Sequence, residues 1–91
     1  MIRLNCFFAS KEGRYNEALE AALRLTAASQ LQEGCISYDV FESGTRDNVF
    51  MFCETWVSQE ALDKHSASEV FVKEVAAIQD CGHLKLERFE F

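Results

Sequence analysis

The hydrophobic residues of this chain repeat first with the spacing of a strand and then with that of a helix, and this alternation constrains the fold most. Residues 2–9 carry an apolar side chain at every second position. After Gly13 the spacing becomes helical and continues towards Gly34, where a glycine can end a helix at little cost. Residues 35–42 and 49–57 return to the strand period on either side of a polar turn, which predicts a hairpin.

The second half of the chain repeats the helix and strand pattern. Ser58 is a suitable N-cap for a helix over residues 59–79, which we expect to be interrupted near residues 66–68. Residues 83–91 form a last strand whose apolar positions change phase, which predicts a bulge or burial on both sides. The order β-α-β-β-α-β predicts a single α+β domain over residues 1–91, of the ferredoxin-like kind with a four-stranded antiparallel sheet.

The first and third predicted strands are apolar on both faces. Phe7 and Phe8 fall on opposite sides of the first strand. In the third strand one side holds Val49, Met51 and Cys53 and the other holds Phe50 and Phe52. Because the two predicted helices can cover only one face of the sheet, the other apolar face needs a partner. The simplest partner is a second copy of the chain, so the pattern predicts an isologous homodimer.

Composition and charge exclude several classes of function. The net charge is −6 and the nine Lys and Arg residues form no cluster, which argues against binding to nucleic acid or to an anionic membrane. No apolar run is long enough to span a bilayer and no signal-peptide pattern is present, so we expect a soluble cytoplasmic protein. The four cysteines include no CxxC pair, which favours small buried side chains over a zinc site or disulfides.

Glu54 and His65 are the candidate catalytic residues. Glu54 shares its strand face with aromatic side chains, and burial there would raise its pKa and make it a proton acceptor near neutrality. The alternative is a strand-end carboxylate bound to backbone or to a lysine. His65 lies near the expected helix break and either exchanges protons with a ligand or is a partly exposed helical residue. His65 and Glu69 are one turn apart, but no third ligand has a fixed spacing, so we predict no metal site.

Four more side chains are candidates for contact with a small-molecule substrate. Trp56 is either a platform for a ligand or part of the core. The hydroxyl of Tyr38 either covers the edge of the core or donates a hydrogen bond to a ligand. Asn5 on the first strand has the same two possible roles, structural or ligand-binding. Phe71 lies on the buried stripe of the second helix. Nucleophilic catalysis has little support, since the chain contains no GxSxG elbow.

Two runs in this chain resemble the antibiotic-biosynthesis monooxygenase family. Residues 33–41 read E-G-C-I-S-Y-D-V-F and residues 54–65 read E-T-W-V-S-Q-E-A-L-D-K-H. They match the family stretches E-G-C-x-x-Y-[DE] and E-x-W-x-S-x-E-A-L-x-x-H, and the resemblance covers essentially the whole chain. It implies a dimeric α+β barrel whose subunits hold a pocket between sheet and helices. It also implies an oxygenase that needs no metal or flavin and oxidises a quinol-like or polycyclic phenolic substrate.

The resemblance also implies roles for individual residues. His65 and Trp56 match family positions near the pocket, as do Glu54 and Tyr38. Many relatives have a second histidine where this chain has Val70, which argues against a two-histidine mechanism.

Haem binding is not expected either, because the haem-ligating histidine of the haem-degrading members falls at Val75. Two rival functions stay open. One is an isomerase or other proton-transfer enzyme acting on a small carbonyl compound, and the other is a non-catalytic dimeric binding module.

Overall fold

The computed structural model describes residues 1–91 and contains four strands and three helices. In chain order they are β1 (Ile2–Ser10), α1 (Tyr15–Ser29), β2 (Cys35–Glu42), β3 (Val49–Trp56), α2 (Gln59–Ala67), α3 (Glu69–Cys81) and β4 (Gly82–Glu90). The strands form one sheet in the order β2-β3-β1-β4, and all neighbouring strands are antiparallel. The predicted α+β fold with a four-stranded antiparallel sheet is confirmed.

The interruption predicted in the second helical segment is a break at Ser68. This residue has an extended conformation with φ −69° and ψ 150°, and it separates α2 from α3. Its hydroxyl donates to the carbonyl of His65 at 2.6 Å and accepts the amide of Phe71 at 3.3 Å. One side chain therefore ties the last turn of α2 to the first turn of α3. Ser58 caps α2 as predicted, accepting the amide of Ala61 at 3.2 Å.

The hydrophobic core lies between the helices and one face of the sheet. Phe8, Phe50 and Trp56 from the two central strands are fully buried, and the Phe8 and Phe50 rings stack at 4.6 Å. Each such side chain contributes about 1.5–3 kcal/mol by leaving water. Alanines of α1 let that helix approach the sheet closely. On the outside, Arg24 of α1 forms a two-point ion pair with Glu74 of α3, with distances of 2.8 and 3.2 Å.

The turn between α1 and β2 packs tightly on α2. Gly34 has a φ of +83°, a left-handed conformation that glycine adopts without strain. A β-carbon at this position would collide with the side chain of Ala61. Helix α1 itself ends at Ser29, earlier than the glycine suggested. Gly34 therefore allows the turn to lie close to α2 and also allows the chain to change direction before β2.

The last strand differs from its prediction. β4 pairs with β1 in an unbroken register from Gly82 to Glu90, so the expected bulge is absent from it. The apolar positions change phase because β4, an edge strand, carries apolar side chains on both faces. Two of them, Leu86 and Phe89, are exposed. The bulge of this sheet lies in β2, between Cys35 and Ser37, and it leaves Ile36 exposed.

The face of the sheet opposite the helices carries a cluster of apolar side chains, as its sequence pattern indicated. Phe7, Val49, Met51 and Cys53 on this face are only partly buried, and Phe41 is exposed. None of the three helices is long and apolar enough to cross a lipid bilayer.

Candidate functional site

A cavity of about 270 Å³ lies between the sheet and helices α2 and α3. Its floor comes from the helix-facing side of all four strands, and its roof comes from α2 and α3, with Leu25 of α1 beside them. The lining is mostly apolar, and it includes Leu4, Phe52, Leu62, Phe71, Val75, Ile78 and Leu84. Polar groups enter this lining at a few places only, which is the usual composition of a small-molecule pocket.

His65 lies in the last turn of α2 and faces this cavity. Its ring is 2% exposed and packs among the rings of Trp56, Phe71 and Tyr38, with centroid distances of 4.5, 5.0 and 5.4 Å. Burial among these rings lowers the pKa of His65 to about 4, because the charged form loses its hydration. The imidazole is therefore neutral near pH 7.

The two ring nitrogens of His65 have different surroundings. Nδ1 is 2.7 Å from Oε1 of Gln32, in the turn before β2. Nε2 is buried and has no hydrogen-bond partner within the chain. The nearest carboxyl oxygen, Oε1 of Glu54, is 3.9 Å away. Since the imidazole is neutral, this contact is not an ion pair, and Nε2 is left without a partner in the chain.

Glu54 extends from β3 into the same apolar space and is 5% exposed. Its Oε1 accepts the indole N–H of Trp56 at 2.9 Å. Burial raises the pKa of Glu54, while the Trp56 indole and the Tyr38 hydroxyl oppose this by stabilising the charged form. A carboxyl group with a raised pKa beside a neutral imidazole is an arrangement suited to proton transfer.

The structure brings together four of the predicted site residues around the cavity. Tyr38, Glu54, His65 and Phe71 all line it. Trp56 is fully buried behind them and contacts Glu54 and His65 without lining the cavity.

Asn5 lies elsewhere. Its neighbours Leu4 and Cys6 line the cavity, so the Asn5 side chain points to the opposite face of the sheet, between Cys53 and Glu87. It does not reach the cavity. Val75 is part of the apolar roof.

The mouth of the cavity is polar, and the sequence patterns did not single out its residues. Gln59, Asp63 and Ser66 follow one another along one side of α2, and Arg88 of β4 completes the rim. Their spacing at positions i, i+4 and i+7 is a signal that was available from the sequence. Gln32 was also missed, since a single polar residue in a turn has no periodic signature.

No three His, Cys, Asp or Glu side chains gather closely enough to hold a metal ion. His65 is buried while Glu69, its potential co-ligand one turn away, is exposed at the start of α3. Cys6 in the cavity wall is a protonated thiol at neutral pH, because burial raises its pKa to about 11.

Fold and cavity together define a class of small α+β proteins with a ferredoxin-like sheet and an apolar chamber beneath two short helices. The model of the family described as antibiotic biosynthesis monooxygenase matches residues 1–77. The chain belongs to this family.

Solved structures and curated relatives agree with this assignment. A protein of unknown function from Bacteroides thetaiotaomicron, described as a possible oxidoreductase, is 50% identical, with a TM-score of 0.96 over 99% of this chain and 96% of that chain. YcnE of Bacillus subtilis, provisionally named a monooxygenase, is 32% identical over 78% of this chain and 75% of its own length. SnoaB of Streptomyces nogalater, a cofactor-independent oxygenase, shares the fold at 17% identity with a TM-score of 0.87, covering 99% of this chain and 91% of that chain. The chain spans only 42% of the length of an uncharacterized relative from Synechocystis.

Proposed function

We propose that the protein is a cofactor-independent monooxygenase that oxidises a quinol-like aromatic small molecule in the cavity beneath α2 and α3. The observation that carries this proposal is the free Nε2 of a buried, neutral histidine in an apolar chamber. A phenolic hydroxyl placed against Nε2 would donate a hydrogen bond to His65 and pass its proton to the ring as the substrate is oxidised. The phenolate that forms would stabilise the charged imidazole, whose pKa is only about 4 in the empty cavity. The resulting anion is the electron donor, and an apolar wall keeps water away from it while it meets dioxygen.

The reaction balances without a separate reductant. The substrate supplies two electrons and two protons, one atom of dioxygen enters the substrate, and the other leaves as water. Glu54 would accept or return a proton beside His65, and Tyr38 and Phe71 would bound the aromatic ring of the substrate. Trp56, which lies outside the cavity lining, would orient the Glu54 carboxylate by donating its indole N–H to it.

The size of the cavity favours the smaller members of the proposed substrate class. Pockets for drug-sized ligands are usually about 300–1,000 Å³, and this one is about 270 Å³. A quinol with a single ring or with two fused rings fits such a volume better than a polycyclic phenol does. The polar rim of Gln59, Asp63, Ser66 and Arg88 would meet the substrate's oxygen substituents.

Oxygen uptake tests this function. With a hydroquinone or naphthohydroquinone, we expect uptake that His65→Gln lowers about 100- to 10,000-fold, since glutamine fills the site but takes no proton. His83→Gln is the matched control, because the chain's second histidine is exposed on β4 outside the cavity. Equal uptake in wild type and His65→Gln would refute the role of His65 as the base.

The contact between Glu54 and His65 also favours a second candidate, an isomerase or other proton-transfer enzyme acting on a small carbonyl compound. In that case the two residues would move a proton between two substrate atoms, and no oxygen would be consumed. Turnover under strict anaerobiosis separates the two functions. Tight ligand binding without turnover in air or under nitrogen would instead indicate a binding module.

We also propose that the functional unit is a homodimer formed by the open faces of two sheets, as in a dimeric α+β barrel. The support is the apolar face around Phe7, Val49 and Met51, which the three helices leave uncovered. Packing this face against a second copy would remove it from water and satisfy the pattern of strands that are apolar on both sides.

A further inference from the structure

Gln32 connects the turn before β2 to both helices of the cavity roof. Its Oε1 lies 2.7 Å from Nδ1 of His65, and its Nε2 donates to the hydroxyl of Ser68 at 3.3 Å. Ser68 in turn donates to the carbonyl of His65 at 2.6 Å. Gln32, Ser68 and His65 thus form a closed loop of hydrogen bonds around the break between α2 and α3.

This loop of hydrogen bonds fixes which way the Gln32 amide points. The Ser68 hydroxyl has one proton, and it is donated to the His65 carbonyl. Ser68 must therefore accept from Gln32, so the NH₂ group of Gln32 faces Ser68 and its carbonyl oxygen faces Nδ1. An amide oxygen has no proton to give, so the hydrogen between these two atoms belongs to Nδ1 of His65.

The backbone holds Gln32 in this position. Its amide donates to the carbonyl of Ser29 at 3.0 Å, and its carbonyl accepts the amide of Cys35 at 3.2 Å. The packing of Gly34 against Ala61 fixes the same turn on α2. Gln32 is therefore part of the scaffold, positioned before any ligand arrives.

We propose that Gln32 is a positioning residue that holds His65 in the tautomer with the proton on Nδ1, so that Nε2 presents its lone pair to the cavity. This inference rests on the proposed role of His65 as the base. Without Gln32 the neutral ring could carry its proton on either nitrogen, and in the other tautomer Nε2–H would have no lone pair for a substrate proton. The hydrogen bond from Nδ1 also fixes the plane of the ring.

The other groups around His65 do not supply this constraint. Glu54 of β3 faces Nε2 at 3.9 Å and would favour a proton there, opposing Gln32. Tyr38 of β2 contacts the ring with a centroid distance of 5.4 Å, and α3 contributes only the uncharged ring of Phe71. On α2 itself, Asp63 and Lys64 are exposed. Gln32 is therefore the group that determines the tautomer.

Nitrogen NMR of the His65 ring tests the proposal without requiring turnover. In ¹⁵N-histidine-labelled wild-type protein near neutral pH, we expect a protonated Nδ1 and an unprotonated Nε2. Gln32→Leu should give a mixture of tautomers or a shift of the proton to Nε2. Gln79→Leu is the matched control, because Gln79 is exposed on α3 and makes no side-chain hydrogen bond. An unchanged His65 spectrum in Gln32→Leu, or a wild-type ring protonated on Nε2, would overturn the proposal.

Gln32→Glu keeps the shape of the side chain and provides a second test if Gln32→Leu does not fold. A carboxylate at Oε1 accepts from Nδ1–H and stabilises the charged ring, so the titration of His65 should move up by about one pH unit or more. The acid limb of the pH profile of kcat/KM should move with it. A titration that stays in place would contradict the assigned contact. If the wild-type tautomer is as expected but no quinol is oxidised, the proposed function fails while the role of Gln32 stands.

Discussion

His65 combines two properties that a solvent-exposed histidine on a helix lacks. It is buried among three aromatic rings, and one of its two nitrogens has no partner in the chain. A buried polar atom without a hydrogen bond costs about 1–3 kcal/mol, so the fold carries an unfavourable feature at this atom. A ligand that donates to Nε2 would remove that cost on binding, which ties the geometry to a function in recognition or proton transfer.

The stability of the protein should depend on pH through His65. The folded ring has a pKa of about 4, against 6.5 for the exposed side chain, so the unfolded chain binds more protons between these values. The contribution of His65 to the free energy of unfolding therefore falls by about 3 kcal/mol as the pH falls from 6.5 to 4. Urea unfolding of wild type and His65→Gln near pH 7 and pH 4 measures the difference. We expect wild type to lose stability relative to the variant at low pH, and a constant difference would mean that the folded histidine titrates normally.

The two short segments that frame the site, the turn before β2 and the break at Ser68, define its geometry at the level of elements. The break ends α2 just after His65 and turns α3 so that Phe71 covers the ring. The turn brings Gln32 to the other side of the same ring, and Gly34 permits its approach to α2. The position of His65 is thus set by contacts between elements, in addition to the helical propensity of α2.

Gly34→Ala should destabilise the protein more than Gly13→Ala. Both glycines have a left-handed φ, +83° and +77° respectively, so each substitution incurs a backbone cost of about 1–2 kcal/mol. Only Gly34 has a close neighbour, and the collision with Ala61 should add about 1–3 kcal/mol. Denaturant unfolding of both variants checks this. Ala61→Gly should recover part of the loss in Gly34→Ala, and equal losses in the two single variants would rule out the tight packing of the turn.

Periodicity predicted most of the elements because burial determines them. The hairpin strands, the Ser58 cap and the helix break follow from apolar spacing and from hydroxyl side chains at helix ends. The phase change in the last strand predicted a bulge or burial on both sides, and β4 has neither, since an edge strand can carry exposed apolar side chains on both faces. The structure has its bulge at Ile36 in β2. The family motifs placed Tyr38, Glu54 and His65 near a pocket, and the structure adds that all three line one cavity. Gln32 was not predictable, because its role depends on a contact between residues 33 positions apart.

The whole molecule has one covered and one uncovered sheet face. The helix side contains the core and the cavity, and the opposite side presents apolar residues of the central strands with no helix against them. A soluble monomer rarely leaves such a face exposed. The proposed dimer explains why β1 and β3 place Phe7, Val49, Met51 and Cys53 on the face that no helix covers.

Phe7→Glu should weaken the proposed dimer without unfolding the subunit. Phe7 lies on the uncovered face, away from the helix-side core, so a carboxylate there would be buried only on association. Equilibrium sedimentation should show a wild-type dimer at micromolar concentration and a shift towards monomer in the variant, with unchanged circular dichroism. Leu31→Glu is the control, since Leu31 is 89% exposed in the turn after α1. A wild-type protein that is monomeric at micromolar concentration would contradict the proposed dimer.

Labelled dioxygen tests most directly the proposal that this member of the antibiotic biosynthesis monooxygenase family oxygenates a quinol-like substrate. The purified protein, free of added metal and flavin, is incubated with a naphthohydroquinone under ¹⁸O₂, and the product is analysed by mass spectrometry. We predict that the product contains one ¹⁸O atom, and that the second appears in water. A product that forms equally under nitrogen, or that takes its new oxygen from labelled water, would contradict the claim.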